Sequence, residues 1–573
     1  MAETNGSDTV TVYIDDEPVV VPKGITMIEA AEHVGKEIPH YCYHQKLSVV
    51  GNCRMCLVEL GWPMKDRATG EPILEEDGSP KIGWGGKPGI ACNQPVAEGI
   101  RMRTDSDLVR DCRHGVMEFL LVNHPLDCPI CDQAGECKLQ EYATEYGRGY
   151  SRFIEEKNPK PKRTVLGPRV ILDDERCILC SRCVRFMQEI PGDDVLGFID
   201  HGSYSTLTCY PGRELDSNYS LNTVDICPVG ALTSRDFRFQ MRVWFLKPVD
   251  SICTESSVGA NTQVWAREGK IYRITPRQND AVNDTWMTDS GRDLYKQVEA
   301  EDRLTTPFVR GIEATPVQAL RETERLLRPS ERVAVVASTH SSVEEQYFLR
   351  RIADRTGAQR YAVRHWGEED GLLLSADRTP NTRGALLTGL LDELPKPDLR
   401  ELGAAIDRGE IDTVLCIHED PLACGLTVEQ VRKVAWVRMA THGSPADEHA
   451  FIVLPSLTVF ERSGTFINQQ FRLQKFRAVV PGPAGLLTDL QQLASLNSLL
   501  EDGPVASVQP DHAWKELSAE PGPFAGLRFR TLPSEGVALD PGEHARHPFP
   551  ERQSLKYEAD AFLASLPAAT TAS

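Results

Sequence analysis

In the run NHPLDCPICDQAGECKLQ, residues 123–140, three cysteines stand at C-x2-C-x5-C spacing: Cys128, Cys131 and Cys137. Thiolates so close in sequence suit a metal centre, but a four-coordinate zinc ion or a cubane iron–sulfur cluster asks for one donor more. His124, four residues ahead of Cys128, is the candidate. To ligate, its imidazole must be neutral, with one nitrogen on the metal and the other held by a partner that fixes the tautomer. Exchanging a thiolate for an imidazole removes negative charge from a cluster and raises its potential, as Rieske centres show. Spacing alone leaves two other readings open: a surface or capping histidine, and a zinc ion on the same four side chains.

Two further groups accompany this one. CILCSRC supplies Cys177, Cys180 and Cys183, and DICPVGAL supplies Cys227. Thiolates at i, i+3 and i+6 followed by a remote Cys-Pro form the bacterial ferredoxin pattern for a [4Fe-4S] cluster, and a tetrahedral zinc site rarely takes three ligands from one seven-residue run. Cys42, Cys53, Cys56 and Cys92 are spaced C-x10-C-x2-C-x35-C, an order comparable to plant-type [2Fe-2S] proteins, with a four-cysteine zinc site as the alternative. Cys112, Cys209, Cys416 and Cys424 have no partner at ligand spacing and read as packed neutral thiols.

The elements that must position these ligands are visible in the pattern. Alternation in TVTVYI, a turn at Asp15-Asp16-Glu17 and the run PVVVP predict a β-hairpin, and TMIEAAEHVG predicts a helix stopped near Gly35. Strand, strand, helix and cysteine loop is the order of a β-grasp ferredoxin domain. Residues 61–90 are dense in glycine and proline and read as an inserted loop. LVRDCRHGVMEFLL has helical spacing, and 153–169 reads as a charged connector. Beyond Leu304, apolar bursts such as RVAVVAS and DTVLCIH alternate with helical stretches, the pattern of a parallel sheet with crossover helices. The last 70 or so residues are rich in proline and weakly patterned, and read as an extended, partly disordered tail. No internal repeat of fixed period is present.

Bulk properties set the limits. The 573 residues exceed what one core accommodates, and 41% hydrophobic with 25% charged residues is ordinary for a soluble globular protein. A formal net charge of -20 argues against nucleic acid as a partner. No signal peptide and no apolar run of membrane-spanning length is expected. Of 16 cysteines, 14 lie between Cys42 and Cys253, which in a chain without export signals reads as metal ligation and not as disulfides, and points to the cytosol.

Together YCYH, GNCRMCLVEL, NHPLDCPICDQAGECKLQ, CILCSRCVRFMQEI and DICPVGALT resemble the large peripheral-arm iron–sulfur subunit family of respiratory complex I, the 75-kDa-type subunit of bacterial and mitochondrial NADH:quinone oxidoreductase. The resemblance runs from about residue 9 to about 490. It implies a [2Fe-2S] cluster on Cys42, Cys53, Cys56 and Cys92, a [4Fe-4S] cluster on His124, Cys128, Cys131 and Cys137, and a second [4Fe-4S] cluster on Cys177, Cys180, Cys183 and Cys227. SICTESSVGAN sits where the family carries an additional cubane site, but only Cys253 remains, with Ser256 and Ala260 at other expected positions, so that site is expected to be empty. IYRITPR, NDTWMTDSGRD, RLTTPFVR and ADEHAFIVLPSLTVFERSGTFINQQFRLQ resemble parts of a molybdopterin-oxidoreductase-like domain, here shortened and expected to bind no molybdopterin.

The expected architecture is multidomain α+β and α/β: a β-grasp [2Fe-2S] domain over 1–105, a one-histidine [4Fe-4S] segment over 106–150, a ferredoxin-like [4Fe-4S] segment over 151–246, a degenerate entry subdomain over 247–303, a molybdopterin-oxidoreductase-like α/β domain over 304–490, and a tail over 491–573. By resemblance the chain passes single electrons from an NADH- and FMN-binding subunit toward quinone-side iron–sulfur subunits, with no substrate-converting site of its own. Its place would be the cytoplasm, on the inner face of the plasma membrane through the complex. The rivals are the electron-input chain of an NAD-linked formate dehydrogenase or iron-only hydrogenase, a diaphorase-type hydrogenase subunit, and a zinc-bound interaction protein. The hydrogenase reading wants more cysteines after residue 253 than Cys416 and Cys424, and the formate dehydrogenase reading wants a molybdenum ligand that the domain lacks.

Overall fold

Alternation places Val10, Val12 and Ile14 of strand Thr9–Ile14 on one face, and all three are buried. The strand pairs antiparallel with Glu17–Pro22 across a turn in which Asp15 and Asp16 take positive φ of 48° and 69°, the backbone a tight two-residue hairpin requires. Thr26 and Glu29 form a capping box that starts helix Met27–Glu32, whose Met27, Ile28, Ala30 and Ala31 are buried. Strands Arg101–Arg103 and Leu57–Pro63 complete the sheet, the former running parallel to Thr9–Ile14. This is the β-grasp order.

The computed structural model describes residues 9–546, which divide into two units, one ending at Phe245 and one beginning at Leu246. In the first unit the insertion 61–90 is not a plain loop. Gly61, Trp62 and Pro63 pair with Trp84, Gly83 and Ile82, extending the sheet by a short ribbon. Gly61 lies so close to Ile82 and Trp84 that a Cβ there would sit 2.7 Å from Ile82. The glycines that suggest a loop are therefore partly pairing residues, spaced for large cross-strand neighbours. Helix Asp107–Leu121 starts on Ser106, whose hydroxyl accepts from Val109 N–H. Helix Lys138–Tyr146 brings Tyr142 edge-on to Tyr41 at 5.3 Å. A small sheet of Thr164–Val165, Val170–Leu172 and Leu232–Ser234, with helix Arg182–Glu189, closes the unit.

The second unit begins with an antiparallel sheet of Lys247–Ile252, Asn261–Arg267 and Lys270–Pro276. Its main body is a seven-stranded sheet in which Gln359–Ala362, Val333–Ala337, Thr413–Ile417, Ala435–Ala440 and Ile452–Pro455 run parallel, edged by the antiparallel pieces Phe308–Val309 and Ile312–Glu313. Apolar clusters cover both faces of the parallel part, as the unbroken burial of VAVVA and TVLCI requires.

One expectation is corrected here. The extended tail assigned to 491–573 does not hold for 491–546. Helix Asp489–Leu500 is buried along most of its length, helix Pro510–Leu517 inserts Trp514 into the same core at 1% exposure, and Val537–Ala538 pairs with Arg472–Phe476. The prolines that look like disorder signals sit at helix starts and in the short connections, and the apolar residues between them are spaced to reach the core. Residues 1–8 and 547–573 lie outside the described residues.

Candidate metal centres

The first cysteine group is assembled by the β-grasp sheet. Cys42 follows helix Met27–Glu32 on an irregular stretch, Cys53 and Cys56 flank a turn in which Arg54 takes φ of 62°, and Cys92 lies in the short helix Ala91–Asn93 just after Gly89–Ile90 pairs with Leu57–Val58. Cys42, Cys56 and Cys92 are buried and Cys53 is partly exposed. Cys56 Sγ and Cys92 Sγ lie 3.4 Å apart, and Cys42 and Cys53 are likewise hydrogen-bonded thiol to thiol. The bond from Cys53 holds Cys42 down to about 5, and the same bond with burial pushes Cys53 up. Cys56 is lowered and Cys92 raised by their mutual bond in the same way. Four thiols in two proton-sharing pairs are a set that a cationic core would relieve.

In the third group Cys180 is buried and Cys177, Cys183 and Cys227 are partly exposed. Cys177, Cys180, Cys183 and Cys227 line one cavity with Ile178, Phe198, Leu207 and Val229. Burial pushes all four thiols up, Cys180 to about 11. Thiols that resist ionisation in an apolar cavity become ligands only if a positive centre supplies the compensation. Leu179 and Ser181 take φ of 54° and 61°, uncommon for non-glycine residues, and wind the CILCSRC run so that Leu179 N–H points to Cys177 Sγ at 3.4 Å. Arg182 Nε lies on the wall of this cavity, buried and without a hydrogen-bond partner. Apolar walls, four cysteines lining one cavity, an N–H on sulfur and an orphaned buried donor fit an anionic cluster.

At the second group, Cys131 and Cys137 are buried and Cys128 is exposed. Burial raises Cys131 and pushes Cys137 up to about 11, with Cys128 adding to both. The segment carrying Cys131 is clamped from 237–244: Arg242 donates to Cys131 O at 2.6 Å and to Pro129 O, and the Asp132 carboxylate accepts Phe239 N–H at 3.0 Å. Arg176, 3% exposed, ties Asp173, Asp127 and Gly230 O around it. Burial, and then Lys157 and Arg176, pushes the His124 imidazole down to about 4. Its side chain faces a cavity that it shares with Asn158, Lys160 and Cys177. The cavity beside His124 thus borders Cys177 of the third group.

The groups adjoin one another. Gly230, three residues after Cys227, is packed on the second group so tightly that a Cβ there would lie 2.2 Å from Cys131 Sγ. Cys137 Sγ lies 3.9 Å from Pro228 O, and Pro228 O accepts Lys138 N–H. On its other side the third group is tied to the first. Arg185 donates to Cys42 O at 2.5 Å and to Cys180 O at 3.5 Å, while Arg182 donates to Tyr43 O and to Ile226 O at 3.1 Å. Among the described residues no three or more His, Cys, Asp or Glu side chains close around one point for a metal ion. A cluster core is wider than an ion, and its ligands stand further apart.

Five family models match in series along the chain. They are a 2Fe-2S iron-sulfur cluster binding domain over 7–107, the NADH-ubiquinone oxidoreductase-G iron-sulfur binding region over 113–152, the ferredoxin-like domain of NADH-quinone oxidoreductase subunit 3 over 167–233, the NADH-ubiquinone oxidoreductase NDSU1/NuoG-like 4Fe-4S domain over 246–296, and molybdopterin oxidoreductase over 414–498. The G subunit of NADH-quinone oxidoreductase from Rickettsia conorii is 39% identical over 356 residues, 61% of this chain and 50% of that protein. Over 61% of its length this chain is similar to that subunit of NADH-quinone oxidoreductase. The mitochondrial NADH dehydrogenase [ubiquinone] iron-sulfur protein 1 of Solanum tuberosum is 38% identical over 362 residues, 62% of this chain and 46% of that protein. The chain thus spans about half the length of these two relatives. A solved chain of NAD+-reducing [NiFe]-hydrogenase is 27% identical and covers 41% of this chain and 91% of its own length, with a TM-score of 0.34.

The 246–296 match is to a 4Fe-4S domain, yet the structure shows one buried thiol there. Burial pushes Cys253 up to about 12, and a Cβ on Gly291 would meet Cys253 Sγ at 2.7 Å. Ser256 and Ala260 are buried nearby in sequence. In the α/β body, Cys416 and Cys424 belong to an apolar cluster, with their sulfurs near Glu419 at 3.5 and 3.7 Å, and burial raises both. The cavity at the carboxyl ends of the parallel strands is lined by His340, His418 and Arg462, but Arg462 is paired to Glu345 and Asp489, and His418 to Asp489 at 2.9 Å. Among the described residues no helix is long and apolar enough to cross a membrane.

Sequence reasoning finds the cysteines and misses their braces. Arg176, Arg182, Arg185, Arg242 and Gly230 escape it because they are not ligands. A partial signal exists: Arg182 within the CILCSRC run, Arg176 and Arg185 flanking it, and a glycine three positions after Cys227, whereas nothing local marks Arg242.

Proposed function

We propose that the chain is an electron-transfer subunit of an NADH-quinone oxidoreductase, carrying single electrons between an NADH/FMN-binding subunit and iron–sulfur subunits nearer quinone. The observation that carries this reading is the contiguity of the three cysteine groups, the third braced to the first by Arg182 and Arg185 and to the second by the 228–230 loop. Cys42, Cys53, Cys56 and Cys92 would hold a [2Fe-2S] cluster. His124, Cys128, Cys131 and Cys137 would hold one [4Fe-4S] cluster, and Cys177, Cys180, Cys183 and Cys227 another. Iron–sulfur clusters supply one-electron redox chemistry. The chain's own work is to hold them, exclude water with apolar walls, and offset their negative charge with buried arginines.

The remaining segments act as scaffold in this reading. A single thiol at Cys253 is too few donors for a cluster, and in the 340–462 cavity Arg462 is tied to Glu345 and Asp489 and His418 to Asp489, so neither a fourth cluster nor molybdopterin is assigned. The reading places the chain in the peripheral arm, at the membrane only through its partners.

Reconstituted with an NADH/FMN-binding subunit of the same complex, the chain is expected to show its cluster signals by electron paramagnetic resonance once NADH is added. Clusters that stay oxidised while the flavin is reduced would overturn the function. The assignment of His124 is tested separately. His124→Cys is expected to keep iron content and to move one cubane signal and its midpoint downward, because a thiolate restores the negative charge that imidazole removes. Spectra and midpoints identical to those of the unaltered chain would exclude His124 as a ligand.

A further inference from the structure

Helix Arg182–Glu189 carries Cys183 and two arginines whose hydrogen bonds end mainly on backbone beside cluster-group cysteines. Arg185 Nη2 bonds Cys42 O at 2.5 Å and Cys180 O at 3.5 Å, its Nη1 bonds Ser48 O, and its Nε bonds Ser181 Oγ at 3.3 Å. Arg182 bonds Tyr43 O, next to Cys42, and Ile226 O, next to Cys227. Each guanidinium therefore spans from the first group to the third. The same interface is latched by Asn52 Nδ2 to Leu179 O at 3.1 Å and by Ser48 N–H to Glu189 at 2.8 Å. Arg185 is 7% exposed, and among the described residues neither arginine makes an ion pair.

Among the described residues, Glu189, the acidic residue on this helix, spends its carboxylate on Ser48 N–H and hydroxyl, and Glu37, Lys138 and Arg182 are the charged neighbours that reach the adjoining His40. Two positive charges are thus held beside two sets of thiols by neutral acceptors alone. The Glu189 carboxylate shares Ser48 with Arg185 but makes no ion pair with either arginine among the described residues. Guanidinium stays protonated through burial and presents a planar fork, so one side chain can hold carbonyls of two segments at once.

We propose that Arg182 and Arg185 form a shared cationic bridge that sets the reduction potentials of the first and third centres together. This rests on the cluster assignment above. A four-thiolate cluster is an anion that gains a further negative charge on reduction, so a fixed positive charge nearby favours its reduced form. Because each arginine touches ligand-bearing backbone of both groups, removing one charge moves both midpoints in the same direction. The second group, braced by Arg176 and Arg242, is not in contact with this pair through any of these bonds and serves as the internal reference.

The experiment is a redox titration of the full chain followed by electron paramagnetic resonance, with iron and sulfide counted in every sample. In Arg185→Met, unchanged iron content and a downward shift of both the [2Fe-2S] midpoint and the all-cysteine [4Fe-4S] midpoint are expected. A tenfold change in the reduced-to-oxidised ratio corresponds to about 59 mV for one electron, and a shift of that order is expected at both centres. The second centre stays within a small fraction of it. Arg185→Lys keeps the charge but not the two-carbonyl reach, and is expected to give smaller, unequal shifts. Arg182→Met repeats the reading should Arg185→Met fail to take up iron.

Full iron content with unmoved midpoints, or movement of only one of the two, would overturn the bridge. So would loss of iron in both methionine variants with unmoved midpoints in Arg182→Lys and Arg185→Lys, the signature of arginines needed for assembly alone. An unaltered chain without clusters overturns the proposed function instead, and is recognised by its iron count before any variant is compared.

Discussion

Gly230→Val removes the second centre. The substitution puts a Cβ within 2.2 Å of Cys131 Sγ, with Gln133 Cβ at 3.1 Å behind it. The sulfur cannot retreat freely, because Cys131 O is held by Arg242 and Asp132 is held by Phe239 N–H. Overpacking a site of this kind costs about 1–3 kcal/mol or more, and here the strain falls on a proposed ligand. The expected result is loss of about four iron atoms per chain, the content of one cubane, and of one cubane signal, while the [2Fe-2S] signal persists. Gly230→Ala carries the same Cβ and is expected to act in the same direction. Full iron with three signals in Gly230→Val would mean that the close approach to Cys131 is not a property of the loaded protein.

Trp514→Ala has the largest expected effect on stability. Trp514 is 1% exposed in the main apolar cluster of the second unit, edge-on to Phe524 at 5.8 Å, and its indole N–H donates to Glu344 Oε1 at 2.7 Å. Glu344 also accepts from Thr465 N–H and hydroxyl, and burial pushes its carboxyl up to about 7. Deleting the indole leaves a cavity and takes one donor from a buried carboxyl at once. Loss of a buried large aromatic costs about 3–5 kcal/mol, and the hydrogen bond lost from a buried carboxyl adds to it. Denaturant unfolding of the second unit, followed by its buried tryptophans, is expected to shift its midpoint accordingly. A variant as stable as the parent would return residues 510–517 to the status of a tail.

These two sites also mark what can and cannot be read from residue order. Thr26-x-x-Glu29, the alternation of TVTVYI, and the all-apolar VAVVA and TVLCI are local rules, and the hairpin, helix and parallel strands they announce are present. The cysteine runs are legible for the same reason, since i, i+3, i+6 spacing lies within one turn-and-helix segment. Trp514 is not legible as core, because its helix is short and set among prolines, and its burial depends on a cavity built by residues more than a hundred positions away. Gly230 and Arg185 depend on contacts separated by about a hundred residues or more in sequence, which no local pattern encodes. In 61–90, glycines opposite Trp84 and Trp62 mimic a loop signal while serving strand pairing.

The His124 side chain shows a different limit. Its neutrality follows from burial and from Lys157 and Arg176, yet the cavity it faces also holds Cys177. Three thiols and an imidazole near one segment are a donor set, and which cluster edge the imidazole takes depends on the metal core that organises them.

The central claim is that three adjoining sets of side chains hold three redox clusters. It is tested most directly by iron and acid-labile sulfide analysis of the chain purified without oxygen, with electron paramagnetic resonance of the dithionite-reduced protein. The account predicts about ten iron atoms per chain, the sum of one [2Fe-2S] and two [4Fe-4S] clusters, and three distinct reduced signals. Colourless protein carrying zinc in place of iron, or iron for fewer than three clusters with no loss of protein fold, would contradict it.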